Sequence, residues 1–302
     1  MTPFDTQTTL ETFTERTLGF TIPSREARGR LVRLNPSIDA ILSAHDYPAP
    51  IAHLLAEALV LTVLMGSLLK DDGSQMTMQT QTEQGAVRLL VCDFKGGELR
   101  GYVQYDDEQL ETLGANPSLG ALFGKGYLAL TFDMAGKQGR YQGIVPLEGD
   151  TLAEACETYF AQSEQVPTLI RTAIRHDADG WTAAGLLVQH LPDGEEGRER
   201  LHARLDHPEW EHVAVMAASI RHDELIDPAL SLESLVWRLF HEEEEVRVLG
   251  GIDIIRGCRC SAEHYREVLN RFPEEELAEM RNETGVIEVD CKFCAKLIPI
   301  EV

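Results

Sequence analysis

The sequence predicts an α+β protein in three parts. These are an N-terminal mixed sheet-and-helix domain over 1–192, a helical linker over 193–257, and a small cysteine-bearing module over 258–302. Three observations predict it. Short strand-like runs bracketed by helices fill the first part, which argues against an alternating parallel fold. Amphipathic helical stripes dominate the second. Four of the six cysteines crowd into the third.

The first part opens with helical signals, chief among them Ile51–Lys70, which Asp71-Asp72-Gly73-Ser74 stops. The stretch Ile51–Leu69 is long and apolar, but it contains His53, Glu57 and Gly66, so a buried core helix is a better reading than a membrane span. Met76–Thr82 alternates polar and apolar residues. Val87–Phe94, Leu99–Tyr105, Tyr127–Met134 and Gly139–Leu147 are short and bounded by Gly or Asp, as strands are. A helix is expected over Leu152–Gln162, with Leu152, Ala155, Cys156, Tyr159 and Phe160 on one face. Strands at Thr168–Arg175 and Trp181–His190 close the domain.

Pro192-Asp193-Gly194-Glu195-Glu196-Gly197 marks a boundary. In the linker, Leu232, Leu235, Val236, Leu239 and Phe240 fall at i, i+3, i+4, i+7 and i+8, a sharp apolar stripe with Ser231 as its N-cap. Trp210, Val213, Ala214, Ala217 and Ile220 form a weaker stripe. Both faces are expected to pack on the first domain, and the first stripe also suits a detachable cover. In the last part, Tyr265, Val268, Leu269 and Phe272 mark a short helix after Ser261. A second helix starts at Pro273, and Val286, Ile287 and Val289 read as a strand after the Gly285 turn. A module this short needs a staple besides its apolar core.

The staple is the array Cys258-Arg-Cys260, thirty intervening residues, Cys291-Lys-Phe-Cys294. Two close pairs of thiolates complete a tetrahedral shell of soft ligands, which suits one Zn²⁺. The second pair has zinc-knuckle spacing, whereas the C-x-C pair is tighter than usual. An iron–sulfur cluster and two permanent disulfides remain as alternatives. Zn²⁺ with four thiolates carries a charge of −2, which Arg256, Arg259, Lys292 and Lys296 are placed to offset. Electropositive surroundings hold sulfur in its nucleophilic form, and an oxidant can then remove the ligands. Structural zinc contributes about 10–16 kcal/mol to small modules. A whole domain is stable by only about 5–15 kcal/mol, so metal loss should unfold 258–302. Cys92 and Cys156 lie in apolar runs and read as buried and inert, and His264 reads as a surface residue.

Other functional signals fail. Gly120-Ala-Leu-Phe-Gly124-Lys125-Gly126 lacks the spacing and the Ser/Thr of a phosphate loop. His241-Glu242 has no second histidine at position 245, and Asp71–Gly73 is too short for a calcium loop. The net charge of −23, densest over 191–250, repels nucleic acid. The polar N-terminus lacks a signal-peptide pattern, so a reducing, cytoplasmic setting is expected. No catalytic residues are evident, and an enzyme is not expected.

The cysteine array resembles that of the thirty-three-kilodalton heat-shock protein family, the redox-regulated holdase chaperones. Other segments are similar to that family too: Tyr159-Phe160-Ala-Gln-Ser163-Glu164-Gln165-Val-Pro167-Thr168, Ala184–Pro192, Leu239-Phe240-His241-Glu242 with Val246-Arg247-Val248, Leu99-Arg100-Gly101-Tyr102, and His45-Asp46-Tyr47-Pro48. The resemblance implies a chaperone that is inactive while reduced and zinc-bound. It implies disulfides Cys258–Cys260 and Cys291–Cys294 on oxidation, loss of zinc, and unfolding of the module and linker. ATP-independent binding of unfolding client proteins would follow, with homodimers in the active form. Exposure of the Leu232–Phe240 stripe would supply apolar area for clients. A constitutive zinc-stabilised interaction module and a thiol oxidoreductase are the competing readings.

Overall fold

The computed structural model describes residues 15–69, 71, 73–136, 139–191 and 207–301. Within them the α+β expectation holds. The chain runs β1 (Thr17–Ile22), β2 (Ala27–Leu34), α1 (Pro36–Leu42), α2 (Ala49–Gly66), β3 (Gln75–Thr82), β4 (Val87–Lys95), β5 (Glu98–Tyr105), α3 (Asp107–Thr112), α4 (Leu119–Phe123), β6 (Gly126–Asp133), β7 (Arg140–Pro146), α5 (Leu152–Tyr159), β8 (Thr168–Asp177) and β9 (Gly180–His190). Then come α6 (Pro208–Ala218), α7 (His222–Ile226), α8 (Leu232–Phe240), β10 (Arg247–Leu249), β11 (Ile255–Arg256), α9 (Ala262–Leu269), α10 (Glu274–Met280), β12 (Ile287–Asp290) and β13 (Leu297–Ile300).

Three sheets result. A five-stranded sheet has the order β10-β1-β2-β9-β8, and a six-stranded sheet the order β11-β5-β4-β3-β6-β7. Their pairings are antiparallel except that β11 joins β5 in parallel. The third sheet is the β12–β13 hairpin.

Helix α2 explains the layering. It is apolar on all sides, as a helix buried on all sides must be. It passes a length-and-hydropathy test for crossing a membrane, but it packs against β2, β8 and β9 of one sheet and β3, β4 and β5 of the other. Ile51, Leu55, Leu59 and Leu64 are fully buried there. The five-stranded sheet is covered on both faces, so β9 reads as a continuous apolar run. Ala183 and Leu187 face the α2 core, while Ala184, Leu186 and Val188 face a second core built with α6–α8.

Two expectations are corrected. The region does not open with helices: residues 17–34 form β1 and β2. Leu18, Phe20 and Ile22 alternate into the second core, and Gly29 of β2 leaves room for the Phe20 ring, which a Cβ would meet at 2.1 Å. Nor is the linker helical throughout. Helices span 208–240, but 241–257 is mostly extended and contributes β10 and β11. The expected boundary at Pro192–Gly197 lies outside the described residues.

The helical stripe of α8 packs as its periodicity implies. Ser231 caps it by accepting a hydrogen bond from the Ser234 N–H. Leu235, Val236, Leu239 and Phe240 are buried and Leu232 partly so, against Phe20 and its neighbours. The Phe20 and Phe240 rings lie 5.6 Å apart. In the C-terminal part, α9, α10 and the hairpin share a core whose buried apolar residues are Leu269, Leu277, Ile287 and Ile300. So small a core leaves the need for a staple in place.

Candidate metal centre

Each cysteine pair is presented by a different local device. Cys258 and Cys260 follow β11 after Gly257, and Ser261 ends their segment by capping α9 through the His264 N–H. Cys291 and Cys294 sit on the turn between β12 and β13. There the Ala295 and Cys294 N–H groups donate to the Cys291 carbonyl at 2.8 and 3.2 Å, and Cys291 N–H donates to the Lys296 carbonyl at 3.0 Å. Ala295 takes a left-handed conformation, φ 53°, as the chain leaves the turn toward β13.

The four Sγ atoms all lie within 4.8 Å of one another, across thirty residues of intervening chain. The separations Cys258–Cys260, Cys260–Cys294 and Cys258–Cys291 are 3.2, 3.5 and 3.6 Å. Ligands at 2.3 Å from a tetrahedral zinc would stand about 3.8 Å apart. The cluster is therefore of the right size, and its all-sulfur donor set suits a soft ion. All four thiols are free, since none is within disulfide distance of another. His264 is exposed and outside the cluster.

Four adjacent sulfurs cannot all ionise alone. Burial and hydrogen bonding to its sulfur neighbours push the Cys260 thiol up, and burial likewise raises Cys294. Cys291 differs. Burial works against its thiolate, but hydrogen bonds from the Tyr265 hydroxyl and from the Cys294 and Phe293 N–H groups bring it down to about 6. A divalent cation at the centre would offset the repulsion among the other three. Cys291 and Cys294 are buried, whereas Cys258 and Cys260 are half-buried, so the C-x-C pair is the more open to a solute.

Two of the four cations expected to offset this charge face elsewhere. Lys292 pairs with Asp290 at 2.6 Å, and Arg259 reaches Glu98 at 3.4 Å and the Gln75 side chain at 2.6 Å. At Cys291 the Tyr265 hydroxyl and backbone N–H groups favour the thiolate. Cys92 and Cys156 are fully buried, and desolvation pushes both thiols up, as befits inert core residues.

How the centre is docked is not legible in the sequence. Phe293, inside the C-x-x-C turn, meets Tyr102 of β5 edge-on at 4.9 Å. The Arg100 guanidinium lies 4.0 Å from the Phe293 ring centre and is held by two hydrogen bonds to Asp93, at 2.8 and 2.6 Å. An aromatic residue between two ligands was the available signal, but nothing local names its partners.

Comparison with known proteins agrees with this architecture. The family model described as Hsp33 protein matches residues 15–298. The 33 kDa chaperonin of Caulobacter vibrioides is 39% identical over 290 residues, covering 93% of each chain. That of Shewanella loihica is 38% identical, covering 89% of this chain and 86% of its own. A crystal structure of the 33 kDa chaperonin of Thermotoga maritima superposes with a TM-score of 0.75 over 95% of this chain and 94% of that one. At 22% identity it speaks for the fold. On the family match over nearly the whole length and the relatives' identity, the chain belongs to the Hsp33 family of chaperones.

Proposed function

We propose that this protein is a redox-regulated, ATP-independent holdase whose trigger is the four-cysteine centre. The observation that carries the reading is the cluster itself: four free sulfurs gathered at zinc-ligand spacing in a family of chaperones. In the reduced state Cys258, Cys260, Cys291 and Cys294 hold one Zn²⁺ per chain. The ion would supply charge neutralisation and a cross-link between the segment leading into α9 and the hairpin.

Peroxide oxidises the two close pairs. One thiolate attacks a peroxide oxygen, the O–O bond breaks, and sulfenic acid and hydroxide result. The second thiolate displaces hydroxide from that sulfur and the disulfide forms. Each pair loses two electrons to one peroxide, and with two protons two waters are released. Cys258–Cys260 and Cys291–Cys294 are the pairs formed. Neither disulfide leaves a thiolate to bind metal, so the module loses its staple. Residues 258–302 then form the redox switch, 193–257 the linker it restrains, and 1–192 the chaperone domain. Loosening of the linker exposes Leu232, Leu235, Val236, Leu239 and Phe240 to unfolding clients. The surplus of acidic residues keeps the complexes soluble. Active chains associate as homodimers, act in the cytoplasm, and have no enzymatic, nucleic-acid or membrane role.

The test is zinc stoichiometry before and after peroxide with mild heat, alongside light scattering from a thermally unfolding client. One zinc per chain should be released, and aggregation should be suppressed only afterwards. Zinc release without suppression would refute the chaperone switch; suppression at full zinc occupancy would refute the redox trigger.

A further inference from the structure

The segment between α8 and Cys258 lies along an edge of each large sheet. β10 pairs with β1, and β11 pairs with β5. Between them, Thr17 N–H donates to the Ile252 carbonyl at 2.9 Å, and Ile252 N–H to the Thr17 hydroxyl at 2.9 Å. Ile254 N–H donates to the Glu15 carbonyl at 2.7 Å, Ile255 N–H to the Gly97 carbonyl at 3.0 Å, and Gly257 N–H to the Leu99 carbonyl at 2.9 Å. One extended stretch thus closes two sheet edges at once.

That stretch is held chiefly through its backbone. The side chains of Val248, Leu249 and Ile255 are 50, 41 and 57% exposed, and only Ile254, with partly buried Ile252, anchors it in the core. Pairing of this kind selects for extended conformation and hardly for sequence. It also ends at the metal centre: Cys258 follows Gly257, where a Cβ would stand 2.5 Å from the Glu98 Cβ. A segment packed this closely cannot follow a moving Cys258 and keep its register.

We propose that residues 247–257 act as a built-in stand-in for client, and that their withdrawal offers the β1 and β5 edges to extended segments of unfolded polypeptide. This rests on the holdase reading and adds where, and by which groups, the client is bound. An open edge presents a row of unpaired N–H and C=O groups and takes up an extended chain. On β1 the groups are set by the Thr17–Ile252 bond. Alternation along the strand turns the Gly19 and Thr21 N–H groups to the same side. Backbone recognition suits a protein that must take many clients, and the apolar face of α8, once uncovered, would add side-chain contact.

Two glycines allow a test without oxidant. A Cβ on Gly251 would lie 1.5 Å from the Thr17 carbonyl oxygen, so Gly251→Ala must lift the segment from β1. A Cβ on Gly250 would meet nothing within 4 Å, so Gly250→Ala is the matched control. The probe is permanently unfolded, carboxymethylated α-lactalbumin, with full-length protein under reducing conditions. Gly251→Ala should keep its zinc and bind the probe, while Gly250→Ala and wild type should not. Hydrogen exchange at the Thr17, Gly19 and Thr21 amides should rise by at least about tenfold in Gly251→Ala, since lifting the segment removes more than one backbone pairing.

In oxidised wild type the same amides should speed up, then slow again when the probe is added. This arm decides the matter if Gly251→Ala fails to fold. Probe bound while those amides still exchange freely would overturn the proposal and leave the holdase reading standing. Zinc release with no probe bound would overturn both.

Discussion

Replacing Phe293 with alanine should loosen the switch without touching a ligand. The side chain contributes two contacts across the joint between the C-terminal module and β5. One is the edge-on meeting with Tyr102, and the other is the Arg100 guanidinium 4.0 Å from its ring centre. An aromatic pair is worth about 0.5–1.5 kcal/mol and a partly exposed cation–π contact about 0.5–1 kcal/mol. Phe293→Ala should therefore weaken docking by about 1–2.5 kcal/mol, a roughly five- to seventy-fold rise in the undocked population. Other ties include the two-residue β11–β5 pairing, Arg259 with Gln75 and Glu98, and the His45 side chain against the Phe293 backbone. Since all four cysteines remain, zinc content should stay at one per chain. The assay is the rate of zinc release at fixed peroxide and temperature, followed with a chromophoric chelator. Release should quicken by about the same factor, with client capture following at the same pace. An unchanged release rate at unchanged zinc content would show that the Phe293 joint does not restrain the switch.

Tyr265→Phe removes the hydroxyl that hydrogen-bonds Cys291 while keeping the ring in the small core. Zinc affinity should fall about tenfold, as loss of a ligand's outer partner does, and competition against a chelator of known affinity would read it. Equal affinity would leave Tyr265 as packing alone. Glu57 on α2 is buried beside Thr172 of β8, and desolvation raises its pKa from 4.5 to about 7. A carboxyl raised on folding contributes full stability below its unfolded value and loses it as pH rises from about 4.5 to 7. Glu57→Gln should thus gain on wild type by about 3 kcal/mol between pH 4.5 and pH 8, measured by urea unfolding of the reduced protein. A gap that does not change with pH would contradict the buried-carboxylate account.

Much of this protein is settled by sequence where the deciding physics is local. The four cysteines are legible as a candidate metal site through residue type and spacing alone, and their sulfurs do converge. The alternation in Met76–Thr82 and the stripe Leu232–Phe240 foretell a strand and an amphipathic helix because a side chain's period follows from its own backbone geometry. Ser231 was legible as a cap for the same reason. What the tertiary structure decided depends on partners far along the chain. Residues 17–34 became strands because β9 and the helices α6–α8 supply a sheet partner and a core for Leu18, Phe20 and Ile22. Phe293 found Tyr102 and Arg100 only once β5 had been set beside the cysteine turn. The placement of 247–257 on two sheet edges was the least legible of all. Backbone N–H and C=O groups are the same at every residue, so an edge that is closed by them writes almost nothing into the sequence that closes it.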